Sequence, residues 1–182
     1  MRADGFSAPE AAGAIRAGQS RERVRQIDVP PTARALSMLP DVDYADAFRV
    51  EAGTAGRWSP EQCARAVLDG APLAVKATLQ LGWVSIGLMP AITASSRSIL
   101  GWEIRESTPE FVLLGRSSLI GMPGELLFTR DHDALLFCTF VQHDNRVARA
   151  VWNSIEAAHV RIVRDLLEQA VGRLAQSYGG TR

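Results

Sequence analysis

The chain has 182 residues, 47% hydrophobic and 22% charged, and its twenty basic residues are balanced by twenty acidic ones. That length and mix suit one globular domain with a sizeable core and exclude disordered and fibrous classes. A neutral chain has no global field to draw it to nucleic acid, and no basic stripe interleaved with aromatics is present, so no nucleic-acid partner is expected.

Residues 1–20 are rich in Ala and Gly without a sustained period, and are expected to form a flexible tail. They lack a continuous apolar run, so no secretory signal is read there. Residues 21–178 are expected to form the single domain. Cys63 and Cys138 lie far apart and make neither a CxxC nor a metal-ligand spacing. Both read as small buried hydrophobes of a reduced, cytoplasmic compartment.

A short strand is expected over 24–29, stopped by Pro30 and Pro31, with Thr32 capping a helix over 33–39 that ends at Pro40. Residues 44–51 alternate: Tyr44, Asp46, Phe48 and Val50 share one face, on which Asp46 is the discordant residue. A turn is expected over 53–56. Ser59, Pro60 and Gln62 then form a capping box with proline at the first helical position, predicting a helix to about Leu68.

A second helix is expected over 73–84, apolar on nearly all sides and so covered by sheet, ligand or partner. The stretch 73–92 approaches the roughly 20 residues of a membrane span. Lys76 and Gln80 lie inside it, and Gly82, Gly87 and Pro90 break it, so no stable membrane insertion is expected.

Short strands follow. Residues 100–107 alternate Trp102 and Ile104 against Glu103 and Arg105, and 108–110 read as a turn. Residues 111–114 and 119–120 are short apolar runs, the second broken by 121–124. Residues 125–130 and 134–142 read as a hairpin across the turn at 131–133. Its second arm is apolar on both faces, which implies burial on both sides. Asp144 and Asn145 can cap a last long helix, with Val151, Trp152, Ile155, Ile162, Val163, Leu166 and Leu167 at helical spacing and an end at Gly179–Gly180.

The stretch Leu39-Pro40-Asp41-Val42-Asp43-Tyr44-Ala45-Asp46-Ala47-Phe48, the run Gly101-Trp102-Glu103-Ile104, and the Thr139-Phe140-Val141 strand leading into the last helix resemble the DUF2867 family of bacterial proteins of unassigned function. The element order also resembles the START/Bet v 1-like (SRPBCC, polyketide cyclase-like) superfamily. That resemblance implies an α+β helix-grip fold, a curved antiparallel sheet packed on a long C-terminal helix, with a cavity for apolar molecules between them. The two helices follow the second strand here, whereas the superfamily places them after the first.

His159 lies on the apolar stripe between Ile155 and Ile162 and is expected to face the sheet. There it is either a ligand contact or base, or a core histidine bonded to a neighbour. Trp83, Trp102, Trp152, Tyr44 and Phe48 are candidate pocket walls or plain core. Glu103 and Arg105 either orient a polar ligand head or form a solvated strand face. Arg97 beside Ser95, Ser96 and Ser98 has the composition of an anion-binding loop but reads first as a solvated loop. The clusters Asp131-His132-Asp133 and His143-Asp144 are metal-capable in type but not in spacing, so no metal and no cofactor is expected. No nucleophile, phosphate or dinucleotide motif is present, and catalytic residues stay unassigned. The expected function is binding of a small hydrophobic or amphipathic molecule between sheet and helix. A cyclase- or hydrolase-type enzyme using the same cavity is one alternative, and a homodimeric interaction module is the other.

Overall fold

The computed structural model describes residues 23–51, 58–89, 97–131 and 134–179. The expected tail, the turn at 53–56, Ser95 and Ser96, and the turn residues His132 and Asp133 lie outside the described residues. Seven strands, β1 (Val24–Ile27), β2 (Tyr44–Val50), β3 (Ser98–Ile99), β4 (Trp102–Ser107), β5 (Phe111–Arg116), β6 (Gly124–Asp131) and β7 (Ala134–Val141), form one curved sheet. All pairings are antiparallel, in the order β1-β2-β7-β6-β5-β4-β3. Among the described residues four helices accompany it: α1 (Pro31–Arg34), α2 (Pro60–Leu68), α3 (Leu73–Ser85) and α4 (Arg146–Gly179). This is the expected α+β helix-grip arrangement.

Alternation decides the faces. On the inner face Phe48, Val112, Leu114, Phe128 and Phe137 pack against α2 and against Val163, Leu166, Leu167 and Ala170 of α4. On the outer face Ala47, Leu113, Leu127, Leu136, Cys138 and Phe140 are covered by the segment around α1, through Ala33, Leu36, Leu39 and Val42. Strand β7 sits mid-sheet and is buried along its whole length, as its two apolar faces require.

The α2 start forms as its sequence demands. Ser59 Oγ accepts from the Gln62 amide, and Gln62 Oε1 accepts from the Ser59 amide. Asn145 caps α4, its Oδ1 accepting from the Ala148 amide at 2.9 Å.

Two expectations are corrected and one is narrowed. The helix expected over 33–39 is the single turn α1, with Pro31 in its first turn and no side-chain cap, so Thr32 lies inside it. It stops early where Glu125 ties the chain down onto the outer face of the sheet: the Ser37 hydroxyl and the Met38 amide both donate to its Oε2, at 2.7 and 3.1 Å. Helix α3 has the expected bounds to within a residue, and of the covers expected for it, sheet, ligand or partner, the sheet is excluded. Only Leu79 is buried, and Leu73, Leu81 and Val84 are exposed, because α2 and α4 already occupy the inner face. Leu119 does not extend a strand; it is exposed on a loop whose Ser118 bridges to Leu88.

Candidate functional site

Strand β2 brings Tyr44 and Asp46 to the inner face, and its register with β7 sets Thr139 beside Asp46. Helix α4 lays Trp152 and His159, two turns apart, over the same spot. The Tyr44 hydroxyl donates to Asp46 Oδ2 at 3.0 Å. His159 Nε2 lies 3.2 Å from the same oxygen, close enough for charge attraction but off the hydrogen-bond direction. The Trp152 ring centre is 4.6 Å from that of Tyr44 and 5.1 Å from that of His159.

Asp46 is buried, and its Oδ1 has no hydrogen-bond partner; neither has Thr139 Oγ1 or Trp152 Nε1. Unpaired buried polar atoms are uncommon, and here they gather around one carboxylate. Burial, and next to it the Asp46 charge, push the Tyr44 phenol well above its ordinary value, so it stays protonated and donates.

His159 has a second environment. Between α3 and α4 runs a cleft of about 440 Å³, whose walls include Leu79, Trp83 and Ile86 on one side and Ile155, His159 and Ile162 on the other. The wall is apolar apart from His159, Thr78 and Ser85. His159 therefore joins the buried Asp46 to an apolar cleft. Such a side chain can hold a polar group of a bound molecule or move a proton, with the Asp46 carboxylate beside it.

The structure brings Tyr44, Trp152 and His159 together. It places Trp83 in the cleft wall and Trp102 edge-on behind it, at a ring separation of 5.4 Å. Phe48 is fully buried in the core below. Glu103 and Arg105 project from the other side of β4, pair with each other at 3.4 Å and are exposed, so the cleft does not include them.

Asp46 and Thr139 are the site residues that sequence reasoning did not select. A signal for Asp46 was present, as the one acid on an otherwise apolar strand face. Thr139 carried none, being an ordinary β-former in a strand.

A second groove, polar and of about 700 Å³, runs past Arg34, Ser37, Asp41, Asp43, Gln142 and His143. Arg34 donates to the Val42 carbonyl at 2.8 Å. Asp43 accepts from the His143 amide at 2.7 Å and pairs with Arg149 at 3.0 Å, which ties the start of β2 to the start of α4. Burial, ahead of the opposing Asp43 charge, lowers the His143 pKa. No cluster of three or more metal-capable side chains occurs among the described residues. None of their helices is long and apolar enough to cross a membrane.

No protein-family profile and no curated protein sequence matches the chain. Among solved structures it is similar to CalU16 from Micromonospora echinospora, at 12% identity and a TM-score of 0.35, over 74% of this chain and 83% of that one. It is also similar to PA94, a protein of unknown function from Pseudomonas aeruginosa, at 15% identity and a TM-score of 0.21, over 78% and 79%.

Proposed function

We propose that this protein binds a small hydrophobic or amphipathic molecule in the cleft between α3 and α4, with His159 as its polar contact. The observation that carries the reading is the cleft itself: an apolar wall interrupted by one imidazole backed by a buried carboxylate. Few, well-placed polar groups in an apolar concavity are the usual make-up of a small-molecule site. The cavity was expected between sheet and C-terminal helix, but there Val163, Leu166, Leu167 and Ala170 pack on the sheet, so the reading moves to the cleft between the two helices. The finer assignments, to the DUF2867 family and the START/Bet v 1-like superfamily, rest on the sequence resemblance alone.

The test is titration with the neutral fluorophore N-phenyl-1-naphthylamine, backed by native mass spectrometry and solvent extraction of freshly purified protein. Saturable binding at one site, weakened several-fold by His159→Ala with the melting temperature nearly unchanged, is the expected result. No saturable binding and no co-purifying molecule would overturn the reading.

A second reading, a homodimer, is favoured by the exposed Leu73, Leu81 and Val84 on α3 and Ile162 on α4. Mass measured against protein concentration separates the two.

A further inference from the structure

On the inner face, three strands away from Tyr44, stands a second cluster. Arg116, at the end of β5, is 3% exposed. Its guanidinium carbon lies 4.8 Å from the ring centre of Trp83 and 5.5 Å from that of Trp102. Nε donates to the Gly101 carbonyl and Nη2 to Gln80 Oε1, both at 3.0 Å. Nη1 is buried without a partner, and so is the indole Nε1 of Trp102.

Arg116 pairs with no carboxylate among the described residues; its hydrogen-bond partners are a carbonyl and an amide. A buried cation without an anion is expensive, and neutral acceptors and ring faces offset only part of the penalty. Burial alone lowers the Arg116 pKa to about 10, which leaves it charged at neutral pH.

Part of its role is local. Leu100 and Gly101 both have positive φ, 47° and 78°, and form the two-residue turn between β3 and β4. Glycine suits position 101, where φ is 78° and a Cβ would fall 2.6 Å from Arg116 Nη2 and push the guanidinium aside. That duty uses Nε and leaves Nη1 free. Both α3 residues that cover Arg116, Gln80 and Trp83, belong to a helix that buries only Leu79, and Trp83 is itself a wall of the cleft.

We propose that Arg116 Nη1 and Trp102 Nε1 form an anion subsite behind Trp83, which takes the carboxylate of the small apolar acid bound in the cleft. This rests on the cleft reading above and narrows it to acids. The head group reaches the two N–H donors when Trp83 and its turn of α3 swing outward. The aliphatic or aromatic body stays between α3 and α4, toward His159. The carboxylate supplies the charge that Arg116 lacks, and a charged acceptor gains most where water is excluded.

The experiment displaces N-phenyl-1-naphthylamine with decanoate and, separately, with decanol of the same chain length. Decanoate is expected to bind at least about tenfold tighter than decanol, as a charge-assisted hydrogen bond implies. Arg116→Gln is expected to bring decanoate down to the level of decanol and leave decanol and the probe unchanged. Both ligands touch Trp83 in the cleft wall, so decanoate is expected to perturb tryptophan emission beyond the change decanol gives, through Trp102 behind it. Equal affinities for acid and alcohol in the unmodified protein overturn the subsite while the cleft stands. Failure of the probe itself to bind overturns the cleft reading. If Arg116→Gln does not fold, the acid-to-alcohol ratio and the emission change in the unmodified protein decide the matter.

Discussion

Replacing Asp46 by Ala removes the acceptor of the Tyr44 hydroxyl, at 3.0 Å, and the carboxylate that His159 Nε2 approaches at 3.2 Å. A hydrogen bond to a charged group contributes roughly 1.5–3 kcal/mol, and the Tyr44 contact falls in that class. The His159 contact is weaker, because it is off the hydrogen-bond direction and its side chain is 19% exposed. That contact is ionic only when the ring carries a second proton, so it is counted at about 1 kcal/mol at most. Against these losses, alanine relieves the burial of a carboxylate whose Oδ1 has no partner. The balance is a net destabilisation of about 2 kcal/mol. Asp46→Asn keeps an acceptor oxygen for Tyr44 and should lose roughly half as much. Urea unfolding of the single variants, and of the double variant with Tyr44→Phe, measures this. The two single losses should exceed the double loss by about 1 kcal/mol, the coupling expected of groups in contact. An Asp46→Ala protein as stable as the parent, or two losses that simply add, would refute the reasoning.

Ser59→Ala should cost about 1 kcal/mol by opening the capping box of α2, read as a lower urea midpoint at unchanged slope. Glu125 gives a pH prediction. Burial raises its pKa above the ordinary value, against the lowering effect of Ser37 and the Met38 amide. The folded state therefore holds that proton more tightly than the unfolded chain, and the ionised form weakens folding as pH rises through the folded pKa. Glu125→Gln should accordingly be the more stable protein at neutral pH, with the gain fading in acid; thermal melts across pH check the sign. Both cysteines are free and buried, and burial pushes the Cys138 thiol up to about 12. Disulfide reagents should modify Cys138 only at the rate of unfolding, and reaction within seconds in native buffer would contradict its place beneath the outer covering of the sheet.

The strands were legible because each half-buried strand alternates, and because β7, apolar on both faces, has no place except mid-sheet. The capping box of α2 and the Asn145 cap of α4 are local signals and needed no tertiary information. What failed depended on distant partners. Helix α1 is cut short by Glu125, far along the chain, and no window around Ser37 contains that residue. The apolar sequence of α3 signals a need for cover, but not that α2 and α4 have already taken the sheet. Among the site residues, the helical stripe was enough to turn His159 toward the sheet. Asp46 was visible only as an exception to a pattern, and Arg116 was not visible at all, because its meaning comes from two tryptophans on other elements.

The register of β2 against β7 sets when, as well as where, the site forms. Strands β3 to β7 are a meander of near neighbours and need only short loops to close. β2 must instead return across the helices and pair, residue for residue, with a strand that enters the chain much later. Contacts between distant stretches carry the larger closure entropy and are expected to form late. A slip of one residue there would put Ala45 or Ala47 on the inner face in place of Asp46. The step that adds β2 to the sheet therefore proofreads the carboxylate's position, and a chain with only the β3 to β7 meander folded still has no Asp46 beside His159.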